Sequence, residues 1–158
     1  MVDLKIQYEA IKDEIDRAIL DVVRSTSYIL GPQGKALEEG IASYHGVRHA
    51  VGVASGTDAL HLALIAAGVG KGDEVITTPF TFIATAEAVS YVGGIPFFSD
   101  IRPDTFNIDV HAIASKITKR TKAIIPVHLY GHPADMGPLR DLAANHGLKL
   151  IEDCAQSF

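Results

Sequence analysis

A single cysteine, Cys154, in 158 residues leaves no internal disulfide framework to stabilise the fold. Basic residues are also few: 14 Lys and Arg stand against 19 Asp and Glu, for a net charge of −5. Nucleic-acid and anionic-membrane surfaces need clustered Lys and Arg, so any phosphate bound here is small and locally held. No apolar run approaches the roughly 20 residues of a spanning helix. Met1-Val2-Asp3-Leu4 opens no signal peptide, and the expected compartment is the cytoplasm. Internal repeats and low-complexity tracts are missing, as are a Walker loop and a GxGxxG fingerprint. What the chain does have is 47% hydrophobic residues, enough for one globular domain with a core.

Along the chain, Ile11, Ile15, Ala18, Ile19, Val22 and Val23 keep a helical period over 7–24, and a second helix over 34–44 should bury Leu37, Ile41 and Tyr44. From Ala50 onward, strand and helix signals alternate, the pattern of a parallel sheet with helices on both faces. The expected strands are 50–54, 74–78, 95–99, 122–128 and one beginning at Leu148. The expected helices are 57–67, apolar nearly all round and therefore buried, then 81–92, 110–116 and 136–146. Pro126 falls inside the fourth of these strands, where proline is unusual, and such violations gather near functional sites. Asp104, Thr105, Asn107 and Asp109 read as turn and cap residues.

Chemistry concentrates where strands end. After the first expected strand, Ser55-Gly56-Thr57 opens a helix whose free N–H groups and dipole suit an anion; an ordinary N-cap is the alternative. After the second, Phe80 and Phe82 either join the core or lie against a planar ligand. After the last, Asp153 is delivered to the carboxyl edge of the sheet, with Gln156 three residues on. Asp153 either caps a following helix or, held partly out of water, meets a cation or a set of donors. Anion donors, a stacking face and a carboxylate with an amide beside it together describe a flat, phosphorylated, nitrogen-containing ring. Pyridoxal phosphate (PLP) is that ring, and Asp153 would keep its nitrogen protonated.

Six segments in order carry a resemblance: Tyr28-Ile29-Leu30-Gly31-Pro32, Ser55-Gly56-Thr57-Asp58-Ala59-Leu60, Gly72-Asp73-Glu74-Val75-Ile76, Phe80-Thr81-Phe82-Ile83-Ala84-Thr85, Pro126-Val127-His128-Leu129-Tyr130-Gly131 and Ile151-Glu152-Asp153-Cys154-Ala155-Gln156. The sequence resembles the DegT/DnrJ/StrS family of PLP-dependent nucleotide-sugar aminotransferases over almost its whole length. The resemblance implies phosphate contacts at Gly56 and Thr57, ring stacking by Phe82, pairing of the pyridine nitrogen by Asp153, and a contact near the phenolic oxygen from Gln156. His128, at the end of its strand close to that site, is carried as a candidate catalytic residue. The implied fold is α/β, the large domain of fold-type I PLP enzymes. Residues 1–48 form an N-terminal helical segment, and 49–158 form the first part of the cofactor domain. The implied reaction moves an amino group from an amino acid, by the family's habit glutamate, to a nucleotide-linked keto sugar. Residues 78–82 look most like branches acting on 3-keto sugars. Homodimers are the family's habit, and the loop 25–31 is the segment expected to reach the partner's site.

The family also holds its cofactor as a Schiff base through a lysine that follows the Asp-x-x-Gln segment. Here the chain ends at Phe158, and none of Lys5, Lys12, Lys35, Lys71, Lys116, Lys119, Lys122 and Lys149 falls at a carboxyl edge beside Asp153. The expectation is an N-terminal portion of a longer enzyme, truncated before its last strands, with the small C-terminal domain absent and no transamination by the chain alone. Alternatives are a dehydratase of the same family with histidine in place of that lysine, and a non-catalytic Rossmann-like module for a phosphorylated metabolite. His128 and His132 share a four-residue spacing, but Gly131 and Pro133 exclude the helix that would aim both at one metal. Cys154 reads as a small buried thiol, and Glu152 as a structural carboxylate facing away from Asp153.

Overall fold

Local signals start and stop the helices. In the computed structural model, which describes residues 3–158, Asp3 caps α1 (Leu4–Ser25) by accepting from the Lys5 and Ile6 N–H groups. Helix α2 (Pro32–His45) has proline in its first turn and ends at Gly46, whose φ of 64° suits glycine. Leu37 and Tyr44, expected to be buried, are exposed, and no residue of α1 or α2 is fully buried. Caps and period suffice to form these helices, while their apolar faces stay open in this chain.

Packing divides the chain into two units, one ending at Gly52 and the other running from Val53 to Phe158. The second unit contains α3 (Gly56–Ala66), β1 (Glu74–Thr77), α4 (Ala84–Tyr91), β2 (Ile95–Phe98), α5 (Val110–Ala114), β3 (Thr121–Ile124), α6 (Met136–His146) and β4 (Lys149–Leu150). The four strands are all parallel, in the order β2-β1-β3-β4. Side chains alternate across the sheet as strand geometry requires. Val75, Ala123 and Ile125 pack with Leu60 and Leu64 of α3 and Ala88 and Val89 of α4; Ile76 and Ile124 pack with Ile113 of α5 and Leu139 of α6 on the other face. Both faces are buried along β1 and most of β3, while β2 and β4 at the two edges are only partly covered.

Three expectations need correction. Residues 50–54 form no strand: the Gly52 N–H donates to Glu38 Oε1 at 2.7 Å instead of to a neighbouring strand. Helix α3 is buried only along Leu60 and Leu64, with Leu62 and Ile65 on an open face. Pro126 does not sit in a strand, because β3 stops at Ile124; the Pro126 carbonyl accepts from the Asp153 N–H at 2.9 Å, a bond that needs no proline donor.

The chain leaves β1 for β2 on one side, then returns past β1 to β3 on the other, with α4 on one face and α5 on the opposite face. This reversal opens a crevice between the carboxyl ends of β1 and β3, where open α/β sheets bind ligands. Thr77 ties the two strands together beneath it, its hydroxyl donating to the Ile125 carbonyl at 2.9 Å.

Candidate functional site

A cavity of about 480 Å³ lies over this crevice, built from the start of α3, the segment after β1 and the segment after β4. Its size falls within the roughly 300–1,000 Å³ of small-molecule sites. Gly56, Thr57, Phe82, Asp153 and Gln156, the five cofactor contacts that the family resemblance implies, all line it.

At one end, Ser55 caps α3 by accepting from the Asp58 N–H at 3.1 Å. The N–H groups of Gly56 and Thr57 lie in the first turn and have no intrahelical partner. A Cβ on Gly56 would meet nothing within 4 Å, so the cradle is open. The N-cap reading holds for the Ser55 side chain, and the two backbone donors beside it are left without an intrahelical partner.

At the other end is Asp153, 7% exposed. Parallel pairing with Val127 and the bond from its own N–H to Pro126 fix its backbone. One carboxylate oxygen accepts from Thr85 Oγ1 at 2.8 Å and the other from the Ala155 N–H at 3.1 Å. No Lys, Arg or His pairs with it among the described residues. A buried carboxylate held by neutral donors, with lone pairs to spare, fits a cationic ring N–H. The Thr85 hydroxyl gives its proton to Asp153, so it accepts from Thr81 Oγ1, 3.3 Å away. This relay was not singled out in the sequence. Its one local signal is two threonines four residues apart where α4 begins.

Phe82 is 74% exposed on the cavity, so the core alternative fails for it, and the ring is free to face a planar ligand. Phe80 is half-exposed and lies 5.9 Å from the Phe106 ring. Gln156 Oε1 accepts from the Tyr130 N–H at 2.8 Å. That bond fixes the amide, with the oxygen on the backbone and the NH₂ left to donate.

His128 is buried, but does not line the cavity. Its Nδ1 accepts from the Ala134 N–H at 3.0 Å, so the ring proton sits on Nε2 and is donated to Glu152 Oε2 at 2.8 Å. Both ring nitrogens are thus committed to holding the loop and the last segment together. Cys154 is exposed, not buried. Partial desolvation, with the Glu152 and Asp153 carboxylates adding to it, pushes its thiol above the usual range and keeps it a poor nucleophile. No lysine lines the cavity, and no metal-binding cluster exists among the described residues.

A parallel sheet with a helix start and a buried carboxylate lining one cavity near its switch point defines the class: an α/β fold with a ligand-sized cleft at the carboxyl edge of its sheet. The chain belongs to the DegT/DnrJ/EryC1/StrS aminotransferase family, whose model matches residues 9–158. It is 55% identical over its full length to a UDP-N-acetyl-3-dehydro-α-D-glucosamine 3-aminotransferase of Acidithiobacillus ferrooxidans, covering 43% of that protein. Among solved structures it superposes with a TM-score of 0.96 on DesV of S. venezuelae in complex with a ketimine intermediate, at 48% identity, covering 98% of this chain and 42% of that one. NtdA of Bacillus subtilis, solved with bound PMP, matches with a TM-score of 0.90 at 39% identity, over 92% of this chain and 34% of the other. The fold is that of the fold-type I aminotransferases, and the chain spans about two fifths of the length of the relatives it matches.

Proposed function

We propose that the full-length protein transfers an amino group from an amino acid, by the family's habit glutamate, to a keto group of a nucleotide-linked sugar, using PLP. The observation that carries this is the opposition, across one cavity, of two unpartnered helix-start N–H groups and a buried carboxylate without a cation. PLP, when bound, would supply an electron sink for the transfer. Gly56 and Thr57 would hold its phosphate through backbone N–H groups and the α3 dipole. Asp153 would hold the proton on the pyridine nitrogen, oriented by Thr85 and Ala155. Phe82 would cover one ring face and exclude water, and the Gln156 NH₂ would donate to the phenolic oxygen. His128 works as a clamp on this segment.

Similarity to a 3-aminotransferase supports a 3-keto sugar as the acceptor. The protein would act as a homodimer with the loop 25–31 entering the partner's site, a role supported by the full exposure of Ile29 and Leu30. The cytoplasm is the proposed compartment, in keeping with one free, exposed cysteine and with the absence, among the described residues, of any helix long and apolar enough to cross a membrane. The test is Asp153→Asn in the full-length protein. Turnover should be abolished with the fold intact, as read by circular dichroism. Retained turnover would count decisively against the assignment.

A further inference from the structure

Asn107 lies outside the cofactor cavity, 3% exposed, on the turn that follows β2. The sequence gives it a turn role, yet its side chain crosses to a distant loop. Its Nδ2 donates to the His132 carbonyl at 2.9 Å, and its Oδ1 accepts from the Leu129 N–H at 3.4 Å. One amide therefore spans both ends of the turn 129–132. Inside that turn Tyr130 has φ 56° and Gly131 has φ 80°. The left-handed region is natural for glycine but strained for a bulky residue. The strained backbone of Tyr130 is what turns its N–H onto Gln156 Oε1, 2.8 Å away.

We infer that Asn107 is a positioning residue that sets which end of the Gln156 amide faces the cavity: by closing the turn it holds the Tyr130 N–H on Oε1, so that the cavity is offered the NH₂ donor. This deepens the proposed function and rests on it for the identity of the ligand oxygen. The chain of contacts does not depend on any ligand. If the turn relaxed to negative φ at Tyr130, the Gln156 oxygen would lose its donor, and the amide could flip and present an acceptor to an oxyanion.

The experiment uses the full-length protein with Asn107→Leu, Gln156→Ala and the double variant, each titrated with PLP and followed by absorbance. In parallel, hydrogen exchange is measured at the Tyr130 amide without cofactor. Asn107→Leu should weaken PLP binding about 10-fold, the worth of one well-placed hydrogen bond, and should expose the Tyr130 amide. In the Gln156→Ala background the same change should cost less than about 2-fold, because the two residues act as one unit. Equal losses in both backgrounds would mean that Asn107 acts by general stability and would overturn the inference. Tyr130→Gly adds a second arm that does not depend on Asn107→Leu folding. Glycine accepts the left-handed backbone and keeps the N–H, so affinity should stay within about 2-fold of wild type; a 10-fold loss would overturn the role of the backbone N–H. If wild type itself bound no PLP, the proposed function would fall. The exchange arm would still decide the coupling of Asn107, Tyr130 and Gln156.

Discussion

Replacing Thr85 with valine removes one hydroxyl and keeps the shape. That hydroxyl is 2.8 Å from Asp153 Oδ2 and supplies one of only two protein donors to a carboxylate that no cation neutralises among the described residues. Thr85 is 1% exposed, so water cannot readily take the place of the lost donor. A hydrogen bond to a charged group contributes about 1.5–3 kcal/mol, and Thr85→Val should lower unfolding stability by that amount. Thr81 would also lose its acceptor, which keeps the loss toward the upper end. In a full-length protein of its relatives' size, more than twice this chain, one kcal/mol moves the midpoint by a little over about 1 °C, so the midpoint should fall by about 2–4 °C. The assay is urea and thermal denaturation of the full-length protein without cofactor, with Thr85→Ser as the control that restores the hydroxyl. PLP in excess should recover part of the Thr85→Val loss, because a cationic ring N–H offers Asp153 what threonine no longer does. Two results would refute the reasoning: Thr85→Val within about 0.5 kcal/mol of wild type, the range of an ordinary surface change, or Thr85→Ser as damaging as Thr85→Val.

Other perturbations reach different parts of the molecule. The Thr118 hydroxyl, and after it Arg120, hold the Glu74 carboxyl below its usual range, so its contribution to stability is present above the ordinary carboxylate pKa and lost as pH falls through the depressed one. Glu74→Gln should therefore be destabilising at neutral pH and approach wild type in acid, as read by urea midpoints at both; a gap that widens in acid would contradict this. Leu64 is fully buried among α3, α4 and the sheet, and Leu64→Ala should cost about 2–5 kcal/mol in the same denaturation assay. A Cβ at Gly31 would clash with the Ser27 carbonyl oxygen, so Gly31→Ala should distort the entry to α2 at a cost of about 1–3 kcal/mol. Limited proteolysis across 25–32 should then cut faster than in wild type.

Caps and periodicity are short-range, and the sequence disclosed them well. Helix α6 falls at 136–146 as its pattern and flanking Gly147 predict. The helix start at Ser55-Gly56-Thr57 was legible from its capping residue, although the strand expected before it does not form, and the buried carboxylate at Asp153 from the apolar run that precedes it. Strand lengths were not legible. A strand exists only where a partner ladder exists, and residues 50–54 and 125–128 carry apolar runs without a full one. The donor on Asp153 comes from Thr85, 68 residues away, and the clamp on the Gln156 loop comes from Asn107, 22 and 25 residues from the groups it binds.

By itself the sequence determined the α/β alternation, the capped helix start at Ser55 and the carboxylate that follows the last apolar run, since each depends on neighbours within one turn or one strand. Only the tertiary structure decided that β3 lies beside β1 rather than beyond β2. That order opens the crevice and brings Thr85 to Asp153. It also gives the Asn107 side chain and the two nitrogens of His128 their partners. Such pairings depend on which strand becomes which strand's neighbour, a choice made by burying both faces of the sheet at once, and no local spacing along the chain records it.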